Sequence, residues 1–231
     1  CCRDTFERFD FSAARVTASL HESLRRLGTD HIDVYQIHDV EFGDRRQVLE
    51  EAIPAALRLK EQGLVRHVGI TGLPVRYLRS LLEACDVDLV LSWAHYNLVE
   101  DELSTELAPL CAARGIGLLS ASPLLQGLLT RKGPPAWHRS PPEVLAIGPR
   151  IAALCDAEGL DVAQVAIRFA IDNPQIASIR NQMAMTDRAA KTQVGRPATA
   201  APMNASAMTG KASAVCPFIP RSRSRTSQSV P

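Results

Sequence analysis

The stretch Ile32–Asp39, IDVYQIHD, is a short run of β-branched and aromatic residues that stops at two polar ones. Ile32, Val34, Tyr35 and Ile37 favour a strand, apolar enough to be buried on both faces. His38 and Asp39 stand where the apolar run ends. In a barrel of parallel strands the carboxyl end of each strand opens on the reaction face, so a histidine there is a candidate for chemistry. A strand-end histidine held by a neighbouring backbone group is the plainer reading. The stretch alone leaves both open.

Working outward, Ser12 is placed to cap a helix running to about Leu27, with Val16, Leu20, Leu24 and Leu27 on its apolar side and Gly28 at its end. After the Ile32 strand, Gln47–Gln62 reads as a helix with Leu49, Ile53, Leu57 and Leu59 inward and a bend at Pro54. Val65–Thr71 is a strand and Val75–Ala84 a helix. Asp88–Trp93 is a strand, Glu102–Arg114 a helix closed by Gly115, and Ile116–Ser120 a strand. Glu143–Gly159 and Val162–Asn173 read as helices, and Ile176–Ile179 as a last strand. Parallel strands need such crossovers, so the alternation predicts an α/β fold with a parallel sheet. Each strand ends in polar or small residues, which suits a barrel better than a doubly wound sheet. The sequence has no G-x-G-x-x-G turn of the dinucleotide-binding kind.

Two loops stand out. Pro123–Thr130, PLLQGLLT, reads as an apolar loop on the barrel mouth. Residues 133–143, GPPAWHRSPPE, hold too many prolines for a helix or a central strand, and long loops at a reaction face are often functional. Trp137 and His138 are placed either to line a polar substrate pocket or, for Trp137, to plug the loop onto the domain.

The 231 residues suffice for one sizeable core, and the net charge of +1 supplies no electrostatic argument for nucleic acid or an anionic membrane. No apolar run approaches a membrane span, and no secretory signal precedes the first helix. The six cysteines lack a C-x-x-C pair, which reads as reduced thiols in a cytoplasmic protein with no metal site. The average charge hides a break. Residues 180–231 carry eight Lys/Arg against one acid, Asp187, for a net of +7, while 1–179 hold 18 basic and 24 acidic residues, a net of −6. The segment 180–231 is rich in Ala, Ser, Thr and Pro, and disorder is expected there. Its RSRSR run, Arg221–Arg225, is read as a solvated tail rather than a nucleic-acid site. Two divisions follow, 1–179 and 180–231.

The phrases FDFSAARV, SLRRLGTDHIDVYQIHDVEFG, IPAALRLKEQGLVRHVGITGLP, SASPLLQGLLT and GPPAWH resemble the aldo-keto reductases, and among them the L-galactose dehydrogenase group. The resemblance runs from about Phe9 to Ile179. It implies a (β/α)8 TIM barrel, present here in part with its N-terminal strands missing, and hydride transfer between a nicotinamide cofactor and a carbonyl or alcohol without a metal. Its subgroup implies NAD, with NADP possible, and an aldose such as L-galactose oxidised at C1 to the lactone. His38 matches the family's catalytic histidine, which orients the substrate oxygen. Thr71 matches a position near the nicotinamide amide. Ser122, Leu124, Gly127 and Leu128 match a loop along the cofactor pyrophosphate, where small residues let backbone N–H groups approach phosphate.

The departures limit what is implied. The family's catalytic tyrosine, aspartate and lysine have no match here; Cys1-Cys2-Arg3 stands where the lysine run would be. From Arg180 onward the sequence no longer follows the family, including the region that reads the cofactor's 2′-phosphate. The expectation is an inactive fragment of a sugar dehydrogenase, with a non-catalytic, cofactor-binding scaffold subunit as the alternative. Oligomeric state is not legible.

Overall fold

Ser12 and Gly28 bracket the first helix, α1 (Ala13–Leu27), as the sequence predicts. Ser12 Oγ accepts the Arg15 N–H at 3.2 Å, and Gly28 closes the helix in the left-handed conformation at φ 66°. Val16, Leu20 and Leu24 are buried, whereas Leu27, on the same apolar spacing, is exposed. The computed structural model describes residues 3–5 and 8–180. The expected tail after Arg180 and its RSRSR run lie outside the described residues, as do Cys1, Cys2 and Cys216.

A short antiparallel pair, β1 (Arg3–Thr5) and β2 (Arg8–Phe9), precedes α1. Five strands then form one parallel sheet in sequence order: β3 (Ile32–Ile37), β4 (Val65–Gly72), β5 (Leu89–Trp93), β6 (Gly117–Ala121) and β7 (Ser178–Arg180). The crossovers contain α2 (Arg45–Gln47) and α3 (Ile53–Glu61), α4 (Val75–Leu82), α5 (Ala108–Arg114), and α6 (Pro142–Leu145), α7 (Ile147–Ala157) and α8 (Val162–Ile171). A doubly wound sheet reverses its strand order at a switch point, and this one does not. Its helices also share one face. A single apolar cluster joins Val16, Leu20, Ala56, Leu59, Leu78, Leu82, Cys111 and Ala170 of the helices to Tyr35, Ile37, Val68, Ile70, Val90 and Leu118 of the strands. Strands on one side and helices on the other, in sequence order, make the wall of a β/α barrel.

Three expectations are corrected. β3 is not buried on both faces. It is the sheet's edge strand; Tyr35 and Ile37 turn to the helices, while Val34 on the opposite face is 45% exposed. The helix expected over Gln47–Gln62 is interrupted by a π-helical turn, Val48–Ala52, directly before Pro54. Proline cannot donate to the carbonyl four residues back, and the wider turn takes up the misfit. The same pairing recurs at Leu103–Leu107 before Pro109. The extra residue rotates the buried side, so Val48, Ala52, Ala56 and Leu59 are buried while Leu49 and Leu57 are only partly so. The helix expected over Glu143–Gly159 breaks at Ala146 into α6 and α7.

At the amino ends of the strands, Asp88 ties three elements together. Its carboxylate accepts Lys60 Nζ of α3 at 2.6 and 2.7 Å and the Val68 N–H of β4 at 2.8 Å, just before β5 begins. Burial pushes the Cys85 and Cys111 thiols up to about 11. Cys85 lies past the end of α4. No described helix is long and apolar enough to cross a membrane.

Candidate active site

β3 delivers His38 to the carboxyl ends of the strands. His38 is half exposed, and its Nδ1 lies 2.9 Å from Asp39 Oδ1. Asp39 adopts the left-handed conformation at φ 57°, and its N–H donates to Thr71 Oγ1 of β4 at 3.3 Å. The structure therefore brings His38 and Thr71 together on neighbouring strands, with Thr71 itself buried. Glu41, on the turn Val40–Phe42, accepts the Leu73 N–H at 2.8 Å. Gly72 leaves room for that carboxylate, since a Cβ there would lie 2.6 Å from Glu41 Oε2. Tyr77 Oη donates to the Val40 carbonyl at 3.3 Å. The turn that follows His38 is thus tied to β4 and α4 at three points.

The loop after β6 is a packed knob. Ser122, Leu125, Gln126 and Gly127 all have positive φ. The Leu125 N–H donates to Ser122 O at 2.9 Å and the Gln126 N–H to Ser122 Oγ at 3.3 Å. The N–H groups of Gly127 and Leu129 donate to Leu124 O, and that of Leu128 to Leu125 O. Leu124, Leu125, Leu128 and Leu129 are buried against Cys155, Val162 and Ala166. The N–H groups of 125–129 are therefore engaged within the loop, and they differ in this from the open backbone that the small residues suggest. Positive φ at three non-glycine residues costs roughly 1–3 kcal/mol each, a strain that clusters at functional sites.

Beside this loop lies a cavity of about 580 Å³, within the usual size of a small-molecule site. Its wall includes Leu73 after β4, Trp93, Ala94 and His95 at the end of β5, Glu100, Gln126, and Trp137 and Arg139 of the proline-rich loop. His38 is not among its lining residues. Trp137 is 65% exposed, so it does not plug the loop onto the domain. His138 does not line the cavity. Its Nδ1 accepts the Ser140 N–H at 3.2 Å, which leaves Nε2 to donate to Leu125 O at 3.0 Å. Nδ1 thus braces the proline-rich loop on itself, and Nε2 fastens that loop to the one after β6.

Sequence reasoning missed His95, Glu100, Gln126 and Arg139. The one local sign was the H-Y-N run straight after a strand. Asn97 organises that region: its Nδ2 donates to Ala94 O at 2.9 Å, and its Oδ1 accepts the N–H groups of Val99 and Glu100 at 2.9 and 3.1 Å. Tyr96 is buried and stacks on Phe169 of α8, ring centroids 5.0 Å apart.

This arrangement has relatives. The L-galactose dehydrogenase of Arabidopsis thaliana is 41% identical over 176 residues, 75% of this chain and 55% of that protein. A D-threo-aldose 1-dehydrogenase of a Pseudomonas species is 30% identical over 181 residues, 76% of this chain and 55% of that protein. The chain thus spans about half the length of the curated relatives it matches. An aldo-keto reductase from Bacillus halodurans in its holo form superposes with a TM-score of 0.62 at 22% identity, over 75% of this chain and 56% of that one, and supports the fold alone. The parallel wall of strands, with a histidine at the end of its first strand, agrees with a match of residues 2–195 to the profile of the aldo/keto reductase family, and the chain belongs to that family.

Proposed function

We propose that this chain carries the substrate-side groups of a nicotinamide-dependent sugar dehydrogenase, which oxidises an aldose such as L-galactose at C1 to the lactone as hydride passes to NAD. The observation that carries the reading is the cavity at the carboxyl ends of the strands. Two indoles, Trp93 and Trp137, can cover the apolar face of a sugar ring, and His95, Glu100 and Gln126 can meet its hydroxyls. The relatives named as aldose and galactose dehydrogenases point the same way.

In this reading His38 holds the sugar oxygen whose proton leaves. A half-exposed imidazole beside a carboxylate can accept or return a hydrogen bond there. Thr71, buried beside it, takes the position that the family has near the nicotinamide amide, and its Oγ1 accepts the Asp39 N–H. When bound, the nicotinamide supplies the hydride acceptor. The residues fit such a group through side chains more than through backbone. Arg139 and Ser140 line the cavity, and a guanidinium suits a pyrophosphate. Of the loop after β6, Leu125 and Gln126 line the cavity, whereas Ser122, Leu124, Gly127 and Leu128 do not, and the N–H groups of 125–129 are engaged within the loop. The preference for NAD over NADP comes from the subgroup, because the 2′-phosphate region falls after Arg180, outside the described residues.

The test is to join the 231 residues to the flanking segments of the Arabidopsis L-galactose dehydrogenase and follow cofactor reduction. L-Galactose-dependent reduction of NAD is the expected result. Absence of turnover with L-galactose and D-arabinose, under either cofactor, would overturn the reading. Cofactor binding without turnover would instead favour a scaffold subunit.

A further inference from the structure

We infer that His95, backed by Glu100 and Glu102, is a hydroxyl-binding positioning subsite for a neutral, polyhydroxylated ligand at one end of this cavity. The inference rests on the sugar reading above and deepens it.

Three consecutive residues, Trp93, Ala94 and His95, line the cavity. A regular strand cannot do this, because successive side chains point to opposite faces. Ala94 breaks the alternation at φ 64°, a strained value for a residue with a Cβ. Asn97 then closes the loop: its N–H donates to Glu100 O at 2.7 Å while its side chain holds Ala94 and Glu100. The result folds Glu100 and Glu102 back over the imidazole. His95 Nδ1 lies 3.4 Å from Glu100 Oε2 and 3.3 Å from Glu102 Oε2. Nδ1 itself is buried, and neither contact has the alignment of a hydrogen bond. The side chain is nonetheless 21% exposed, so its solvent-facing surface belongs to its other atoms.

The two carboxylates decide the proton. On Nδ1 it faces two negative oxygens; on Nε2 it would leave the Nδ1 lone pair facing them. Of the two neutral tautomers the Nδ1–H form is therefore favoured, and in it Nε2 is an acceptor for a ligand hydroxyl. Glu100, which also lines the cavity, adds a second acceptor. An anion at this end would meet the Glu100 carboxylate, whereas Arg139 lines the same cavity without pairing to Glu100. The charge therefore assigns the neutral ligand to His95 and leaves the anionic one to Arg139.

The chain's two tryptophans, Trp93 and Trp137, both line this cavity, so intrinsic fluorescence reads it directly. The probes are L-galactose, its monodeoxy derivatives and NAD, titrated against the 231-residue chain, His95→Leu and His95→Gln. His95→Leu should weaken L-galactose binding by about tenfold or more, the scale of one lost hydrogen bond with its partner left bare. His95→Gln, which keeps an acceptor, should stay within about threefold. NAD affinity should hold within about twofold in both variants, which also reports that they fold. One monodeoxy sugar should bind the unaltered chain more weakly than L-galactose does and match it on His95→Leu. If the unaltered chain binds L-galactose and His95→Leu binds it equally well, the subsite is refuted and the sugar reading stands. If the unaltered chain binds no hexose, the sugar reading falls and the subsite with it.

Discussion

Replacing Asp88 with asparagine keeps the shape of the side chain and removes its charge. Asparagine can still accept the Val68 N–H, so the change isolates the Lys60 contacts at 2.6 and 2.7 Å. Charge-assisted hydrogen bonds contribute about 1.5–3 kcal/mol, and fully exposed pairs about 0–1 kcal/mol. With side chains 37% and 28% exposed, Lys60 and Asp88 fall between these limits, at about 1–2 kcal/mol after solvent screening. For a chain of this size that lowers the thermal midpoint by about 3–6 °C. Asp88→Ala also strips the acceptor from the Val68 N–H and should cost about 1–3 kcal/mol more. Burial pushes the Asp88 carboxyl up, but the bonds from Lys60 and the Val68 N–H outweigh it and hold its pKa below 3.8. The folded state therefore prefers the ionised form, and this stability is present above the unfolded value and lost as the pH falls through the folded one. Urea unfolding followed by circular dichroism at pH 7 and in acid measures both effects. A variant within about 0.5 kcal/mol of the parent at pH 7, the range of featureless surface changes, would refute the reasoning. So would a deficit that persists unchanged as the pH falls below 3.8.

In the joined protein described above, His38→Ala should lower turnover by about 10²-fold or more, the scale of a positioned acid–base partner, and a change within twofold would remove His38 from the chemistry. If, as the resemblance implies, His38 is the one catalytic group of the family that the 231 residues match, they should by themselves reduce neither cofactor with any aldose; measurable turnover would refute that assignment. Asn97→Ala leaves the Val99 and Glu100 N–H groups without their acceptor and should cost about 1–3 kcal/mol, seen in urea unfolding, together with loss of the L-galactose fluorescence response. Cys111, buried and with its thiol pushed up to about 11, should resist iodoacetamide at pH 8 until urea is added; rapid labelling at Cys111 in the native chain, read by peptide mass spectrometry, would contradict its burial.

Local chemistry determined most of the wall. Ser12 and Gly28 mark α1 because a hydroxyl can cap a helix start and glycine tolerates φ 66° at its end. Alternating strand and helix patterns required parallel pairing, since such strands need crossovers, and His38 could be placed at a strand end because the apolar run stops there. What depends on contacts between distant segments was not legible. Val34 is exposed, as is His67 opposite it on β4, because that face of the sheet is uncovered there, which the strand's own residues do not state. Nothing in the residue type of Ala94 announces φ 64°; Asn97 and the packing of Tyr96 on Phe169 hold it there. The loop from Ser122 reads as open backbone, yet burial of its leucines against α8 turns its N–H groups inward. The cavity exists only where the ends of β4 and β5 meet the loops after β6, and the pairing of His95 with Glu100 and Glu102 belongs to that tertiary arrangement, since no spacing rule for a strand or helix brings those side chains together.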